Sequence, residues 1–311
     1  MTSVESQSRK RRPLGQDNLA GILMSLPALT LLLLFVLIPF IAAFVLSFYN
    51  VHAQSANPPI WMGLEQYRRI LIDPDQSSIF WKSLGNNLFF ALIVVPVQTA
   101  LAIALALLLN QKLPGIAFFR TFFFMPVVFP MSLLAVIWSL FYSRDILGIF
   151  NAVLAAISGG AIQPIDWLGQ QNLAMISIAI LSIWAGVGFQ MVIILAGLQD
   201  IPSELYEAAR IDKANRWQLF WNVTFPSLRN TLVFVVIVTT MFALRLFDQV
   251  YLLTNGGPLD STSTVMFQAV TSAWTEDNVG RGSAMTVVFV IIIVSLTLLQ
   301  RKFLRQEKEI N

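Results

Sequence analysis

Six apolar runs divide this chain, at roughly 19–48, 84–110, 117–142, 171–197, 230–253 and 283–301. A helix needs about 20 mostly apolar residues to cross a bilayer. Inside lipid, every backbone polar group must find a partner within the protein, so runs of this length span as helices. One large soluble core is excluded by the scarcity of charge: 12% of residues are charged against 56% hydrophobic. The chain therefore reads as an all-α membrane protein with six transmembrane helices. Arg9-Lys10-Arg11-Arg12 precedes the first run, as in a signal peptide. The run is much longer than the 7–15 residues of a signal core, which favours an uncleaved first helix.

Basic residues orient the spans. With the N-terminus inside, the cytoplasmic segments carry Arg9, Lys10, Arg11, Arg12, Lys112, Arg120, Arg210, Lys213, Arg216, Arg229, Arg301, Lys302, Arg305 and Lys308. The outer segments carry Arg68, Arg69, Lys82, Arg144 and Arg281, and Arg245 falls within the fifth run. Both termini are thus expected to be cytoplasmic. The chain divides into a basic cytoplasmic tail (1–18), a first transmembrane helix (19–48), an external loop (49–83), a five-helix core (84–301) containing a cytoplasmic loop at 199–227, and a cytoplasmic tail (302–311). Trp61, Trp81, Trp167 and Trp274 lie in or beside the outer loops, where amphipathic rings suit the interface.

Several chemistries are excluded. Cysteine is absent, which removes disulfides and thiolate metal sites. His52 is the single histidine, so a zinc or histidine-based catalytic site has no second imidazole. No Gly-Lys dipeptide occurs, and with it goes the Gly-x-x-x-x-Gly-Lys phosphate cradle. The chain is expected to be no enzyme and to bind no cofactor or metal.

The segment 199–227 is polar and amphipathic, between two apolar runs. Pro202 suits the first turn of a helix, where its missing N–H costs nothing. Leu205, Ala208, Ala209 and Asp212 share one face by i, i+3, i+4, i+7 spacing. Asn215 with Gln218 has the form of a capping box that opens a second helix. Trp217, Phe220 and Trp221 give that helix an aromatic face, and Pro226 marks the entry to the fifth span. Two short helices with exposed apolar side chains make a docking knob for a soluble partner. No second copy of this segment occurs.

These residues carry a resemblance. Glu207-Ala208-Ala209, Asp212, Ala214, Phe220 and Pro226 match the cytoplasmic loop of ABC-importer permeases, whose pattern is Glu-Ala-Ala, Asp-Gly-Ala, an aromatic and a proline before the next span. Lys213 stands where that family has glycine, which bears on the turn because glycine accepts φ > 0 freely. Leu195-Ala196-Gly197-Leu198-Gln199 with Ile201-Pro202, and Phe247-Asp248-Gln249-Val250-Tyr251-Leu252-Leu253-Thr254 with Gly256-Gly257-Pro258, resemble the carbohydrate branch, of the maltose and glycerol-3-phosphate type. The second span, from Asn86-Asn87 through Pro96 and Gln98 to Leu109-Asn110, does so too. The resemblance implies the type I importer permease fold, binding-protein-dependent, in a bacterial or archaeal cytoplasmic (inner) membrane. It also implies a second homologous permease, two ATPase subunits that hold ATP and Mg, and an external solute-binding protein. It places Glu207, Ala208, Ala209, Asp212, Lys213, Ala214, Trp217, Phe220 and Pro226 in the coupling to the ATPase.

Charge within a span costs roughly 2.5–3.5 kcal/mol, so intramembrane polar groups are candidates for the substrate pathway. Arg245 and Asp248, three apart on the fifth helix, either line the route and bond sugar hydroxyls or neutralise one another as a structural pair; Gln249 and Tyr251 share this ambiguity. Asn86, Asn87, Gln98 and Gln190 either face the route or join helices. Trp184, near Gly186 and Gly188, either offers a flat face to a pyranose ring or packs. The alternatives at the level of the whole chain are a stand-alone secondary transporter, a membrane scaffold, and an ABC permease for a non-sugar solute.

Overall fold

A computed structural model describes residues 14–55, 57–111, 113–145 and 148–304. The basic cluster at 9–12, Lys112 and the tail from 305 lie outside the described residues. Four helices are long and apolar enough to cross a membrane unbroken: α1 (Gly21–Leu46, with a π-helical turn at Leu33–Leu37), α3 (Pro74–Leu109), α7 (Gln171–Gln199) and α13 (Val279–Leu304). Between them lie α2 (Glu65–Leu71), α4 (Ile116–Val128), α5 (Met131–Phe141), α6 (Ile149–Ser158), α8 (Ser203–Ile211), α9 (Arg216–Ser227), α10 (Arg229–Leu244), α11 (Asp248–Leu253) and α12 (Val265–Trp274). The remaining two spans are bent or interrupted.

Helix α7 is the centre of the bundle. Of its apolar window 56% is buried within the protein, against 0% for α1, which lies on the periphery and packs on α13. Ala102 and Ala106 of α3 are fully buried and pack with Met191 and Ile194 of α7. Small residues allow such approach, because helices in lipid gain from close van der Waals packing rather than from leaving water. Gly188 shows the limit: a Cβ there would stand 2.1 Å from the carbonyl oxygen of Phe123 on α4.

The second span begins ten residues before the expected 84. Asp73 accepts a hydrogen bond from the N–H of Asp75 (3.1 Å), Pro74 opens the helix, and the polar first turns of α3 continue the span beyond its apolar part. Counting apolar residues misses them. The third span, expected as one helix over 117–142, is two helices meeting at 101°. Pro126 and Pro130 explain the break, since a proline removes a donor and collides with the preceding turn.

The fifth span departs most from expectation. Helix α10 ends at Leu244 and α11 starts at Asp248, so 230–253 is not one helix. Sixteen residues of α10 rise about 24 Å, short of the roughly 30 Å of hydrocarbon. Irregular backbone at membrane depth is tolerated where protein covers it or it lines a cavity. Here the freed groups find partners at long range. Asn87 Nδ2 donates to the Leu244 carbonyl (2.9 Å), its Oδ1 accepts from the Val265 N–H (2.9 Å), and Thr264 Oγ1 donates to the Leu246 carbonyl (2.8 Å).

At the same end of the bundle, helix ends and loops are tied into one cap. Strand β1 (Tyr49–Asn50) pairs antiparallel with β2 (Ile60–Trp61). Val279 N–H donates to the Val51 carbonyl (2.9 Å), and His52 Nδ1 lies 2.6 Å from the Asp277 carbonyl oxygen. Lys82 donates to the Leu259 carbonyl (2.5 Å), and Asn86 to those of Asp260 and Ser263 (both 2.8 Å). The segment 200–228 projects from the opposite end.

Candidate functional site

Two features collect the residues singled out from the sequence. The first is the projecting loop. Pro202 lies one residue before α8 rather than inside its first turn. Glu207 and Ala208 are exposed on α8, and Ala209 is half-buried. The turn after α8 is closed by the N–H groups of Asp212, Lys213 and Ala214, which donate to Ala208, Arg210 and Ala209 carbonyls at 3.0–3.1 Å. Lys213 takes φ +58°, the left-handed conformation that glycine would adopt without strain. The turn therefore keeps its shape with lysine in it.

The capping box forms as expected. Asn215 Oδ1 accepts from the Gln218 N–H (2.9 Å) and Gln218 Oε1 from the Asn215 N–H (2.8 Å). Tyr206 Oη and Thr224 Oγ1, 3.1 Å apart, tie α8 to α9, so the knob is one unit. Ile211 is 81% exposed and Trp217 70%, a large apolar display for a segment outside a bilayer core. Phe220 is half-buried against the rings of Trp221 and Phe225, and Pro226 lies in the last turn before the bend into α10.

The second feature is a cavity of about 350 Å³ at the break in the fifth span, lined among others by Gln98, Ser182, Gly186, Thr239, Arg245, Asp248 and Gln249. The break creates it. Had α10 continued, Arg245 and Asp248 would share a face one turn apart. Instead, among the described residues they form no ion pair, and both are exposed at the cavity wall. The self-neutralising pair, one of the two readings of these residues, does not form: the loss of helix between them takes away its geometry. Gln249 Nε2 donates to Ser182 Oγ (3.2 Å). Gly186 leaves room there for the Gln98 amide, since a Cβ would come 2.6 Å from Gln98 Nε2 and push that side chain aside.

A neighbouring cavity of about 300 Å³ shares Gln98, Met131, Gly186, Thr239 and Phe242 with the first and adds Gln190. Gln190 Nε2 donates to Thr239 Oγ1, and its buried Oε1 has no partner. The amides thus divide. Gln98, Gln190 and Gln249 line cavities, whereas Asn86 and Asn87 are committed to the backbone of 244–265. Trp184 lies against Trp138 (ring centroids 5.4 Å) and faces separate apolar cavities, not the polar one. Tyr251 stacks on Phe247 (5.5 Å, 19°) and does not line the cavity. Ser182 and Thr239 escaped sequence reasoning, because a hydroxyl in an apolar run commonly bonds the carbonyl four residues back. Both do so here, to Ile178 and Val235.

A projecting two-helix loop, a bundle with a broken fifth span, and a polar cavity at that break are the parts of a transport subunit. The model of the family described as binding-protein-dependent transport system inner membrane component matches residues 98–308. The chain belongs to this family. It is a non-catalytic, multi-pass permease subunit of an ABC importer. Family membership decides against the secondary transporter and the scaffold.

The permease is 33% identical to the trehalose/maltose transport system permease protein MalF of Thermococcus litoralis, over 91% of this chain and 92% of that one. It is 32% identical to the lactose transport system permease protein LacF of Rhizobium radiobacter, over 93% and 95%. In fold it matches a chain of a bacterial ABC transporter that imports the acidic polysaccharide alginate, with a TM-score of 0.80, 20% identity, and 94% and 98% of the two chains covered. A second structure of a bacterial alginate transporter, in complex with an alginate pentasaccharide-bound periplasmic protein, matches with a TM-score of 0.78 at 19% identity, covering 93% of this chain and 95% of that one. Among the described residues, no group of three or more His, Asp or Glu side chains stands ready to hold a metal.

Proposed function

We propose that this permease passes a carbohydrate across the inner membrane by alternating access, with the loop 199–227 facing the cytosol and gripping a separate ATPase chain. The observation that carries the reading is the cavity at the interrupted fifth span. A sugar presents hydroxyls that both donate and accept. Arg245 supplies donors, Asp248 acceptors, and Gln98 and Gln249 both, while Gln190 Oε1 is an acceptor left over. A cavity walled by Phe90, Val94 and Phe242 beside these groups suits a ring that is apolar on its faces and polar at its edge. The relatives named for trehalose/maltose and lactose transport support the same solute class.

Asn86, Asn87, Trp184 and Tyr251, the other pathway candidates, take supporting positions around this cavity in our reading. On the knob, Glu207 is placed to make a charge-assisted hydrogen bond to a basic cleft of the ATPase, with Ala208 and Ala209 permitting close approach and Asp212, Lys213 and Ala214 shaping the tip. Trp217, Phe220 and Pro226 set the angle at which the knob leaves the bundle. ATP and Mg then reside on two ATPase subunits, and a second homologous permease and an external solute-binding protein complete the assembly. Opening and closing of the ATPase pair would rock the knob as a rigid body and switch the side to which the cavity opens.

Replacing Glu207 and Ala208 by arginine tests the coupling. Membrane insertion and thermal stability should persist while ATP-driven uptake is lost; normal uptake contradicts the docking role. A thermal-shift screen of the cognate solute-binding protein against sugars, glycerol phosphates and amino acids tests the solute class, and a shift with amino acids alone would overturn it.

A further inference from the structure

Helix α9 carries a stripe of large aromatic side chains that the bundle leaves uncovered, and of these the coupling described above assigns a task only to Trp217. Trp217, Trp221 and Phe225 recur at every fourth residue and are all exposed. Their rings touch in sequence, with centroids 5.7 Å apart between Trp217 and Trp221 and 5.1 Å between Trp221 and Phe225. In a plain α-helix a step of four residues overshoots a turn by about 40°, so such a row would wind around the helix. The π-helical turn at Phe220–Thr224 is wider than an α-turn and takes back the drift, which keeps the three rings in one line. On the other side, Thr224 is buried and tied to Tyr206. The helix therefore has an inward face anchored to α8 and an outward aromatic face.

The direction of α9 identifies what that face meets. The bend between α9 and α10 is 68°. If α10 follows the membrane normal, α9 lies about 22° from the membrane plane. It also lies directly at the point where the chain enters the bilayer. Trp and Phe on a helix in this position, with the exposed cation Arg216 at its start, have the composition of an interfacial helix. Phe225 continues the stripe into a mostly apolar groove of about 520 Å³, which it lines with Ile103, Leu232, Val233, Val236 and Phe303, with Thr99 and Arg229 as its polar members. That groove runs from the stripe up the flank of α10, as an acyl chain below a headgroup would.

We propose that α9 is a membrane-surface anchor. Trp217, Trp221 and Phe225 lie in the headgroup layer, an acyl chain occupies the groove beside Phe225, and the lipid surface holds the base of the knob at a set angle. The inference needs only that α10 spans the bilayer, not that α8 docks an ATPase, so the two can fail separately.

The absence of cysteine makes a direct test available. Single cysteines at Trp217→Cys, Trp221→Cys and, as a water-exposed reference on α8, Glu204→Cys are spin-labelled in the full-length chain. The chain is reconstituted in vesicles of phosphatidylethanolamine and phosphatidylglycerol. Collision with oxygen, which concentrates in lipid, is compared with collision with a water-soluble nickel chelate. The oxygen-to-nickel ratio at 217 and 221 should exceed that at 204 several-fold. A ratio equal to that at 204 places the stripe in water, and protection from both reagents shows that protein covers it; either result overturns the anchor. Variants whose thermal unfolding departs from that of the unlabelled chain are replaced by Phe225→Cys, read in the same way.

Discussion

Replacing Asn87 by leucine should loosen the interrupted fifth span without touching the cavity. Asn87 is fully buried, and its side chain serves two backbone groups with no other partner among the described residues, the Leu244 carbonyl and the Val265 N–H, each at 2.9 Å. Leucine is close in size but offers neither donor nor acceptor, so both groups stay buried and unpaired. On the scale of soluble proteins each costs about 1–3 kcal/mol. Hydrogen bonds between membrane helices measure less, about 0.6–2 kcal/mol each. Two lost bonds therefore cost roughly 1–4 kcal/mol in this bundle. For a chain of this size 1 kcal/mol corresponds to about 2 °C in melting temperature, so thermal unfolding in detergent at a fixed scan rate should fall by about 2–8 °C. Asn87→Asp keeps an acceptor for Val265 but turns a carboxylate toward the Leu244 carbonyl, and should be no better. A melting temperature within 1 °C of wild type for Asn87→Leu, with unchanged solute uptake, would refute the claim that this side chain holds the break open.

Other outcomes follow from the same geometry. Lys213→Gly should relieve the left-handed strain at the tip of the loop by about 1 kcal/mol, seen as roughly fivefold slower hydrogen exchange of the Ala214 amide, which bonds the Ala209 carbonyl. Gly188→Val should force α7 from α4, because its Cβ would fall 2.1 Å from a backbone oxygen that cannot yield; a loss of at least about 1–3 kcal/mol should appear as a lowered melting temperature and reduced membrane yield. Arg245→Gln and Asp248→Asn, each at the cavity wall and in no ion pair among the described residues, should melt within about 2 °C of wild type yet slow transport at least several-fold in a vesicle uptake assay. Normal uptake in both would remove them from the pathway.

The capping box at Asn215 and Gln218 was legible because it depends on residues three apart in one helix turn. So was the exposed knob, whose apolar face and flanking polar residues repeat at helical spacing. The roles of the amides were not legible. Asn87 and Gln98 look alike in sequence, both polar residues within one apolar run. They differ because the segment 259–265 folds back against Asn86 and Asn87, whereas Gln98, opposite Gly186, is left facing a cavity. The interruption at 245–247 was hidden for a related reason. No proline or glycine lies between Leu244 and Asp248, and the partners that satisfy its carbonyls stand 157 and 18 residues away.

Apolar length and charge placement, both additive along the chain, were enough to establish a multi-span membrane protein with a polar loop between its fourth and fifth spans. The short-range pattern of that loop carried the resemblance to the importer family. Which spans are whole and which are broken, whether Arg245 meets Asp248, and which amides look into open space were decided only by the packed bundle. A backbone group in lipid must be satisfied by whatever side chain the fold brings to it, and that neighbour is set by tertiary contact rather than by position in the chain.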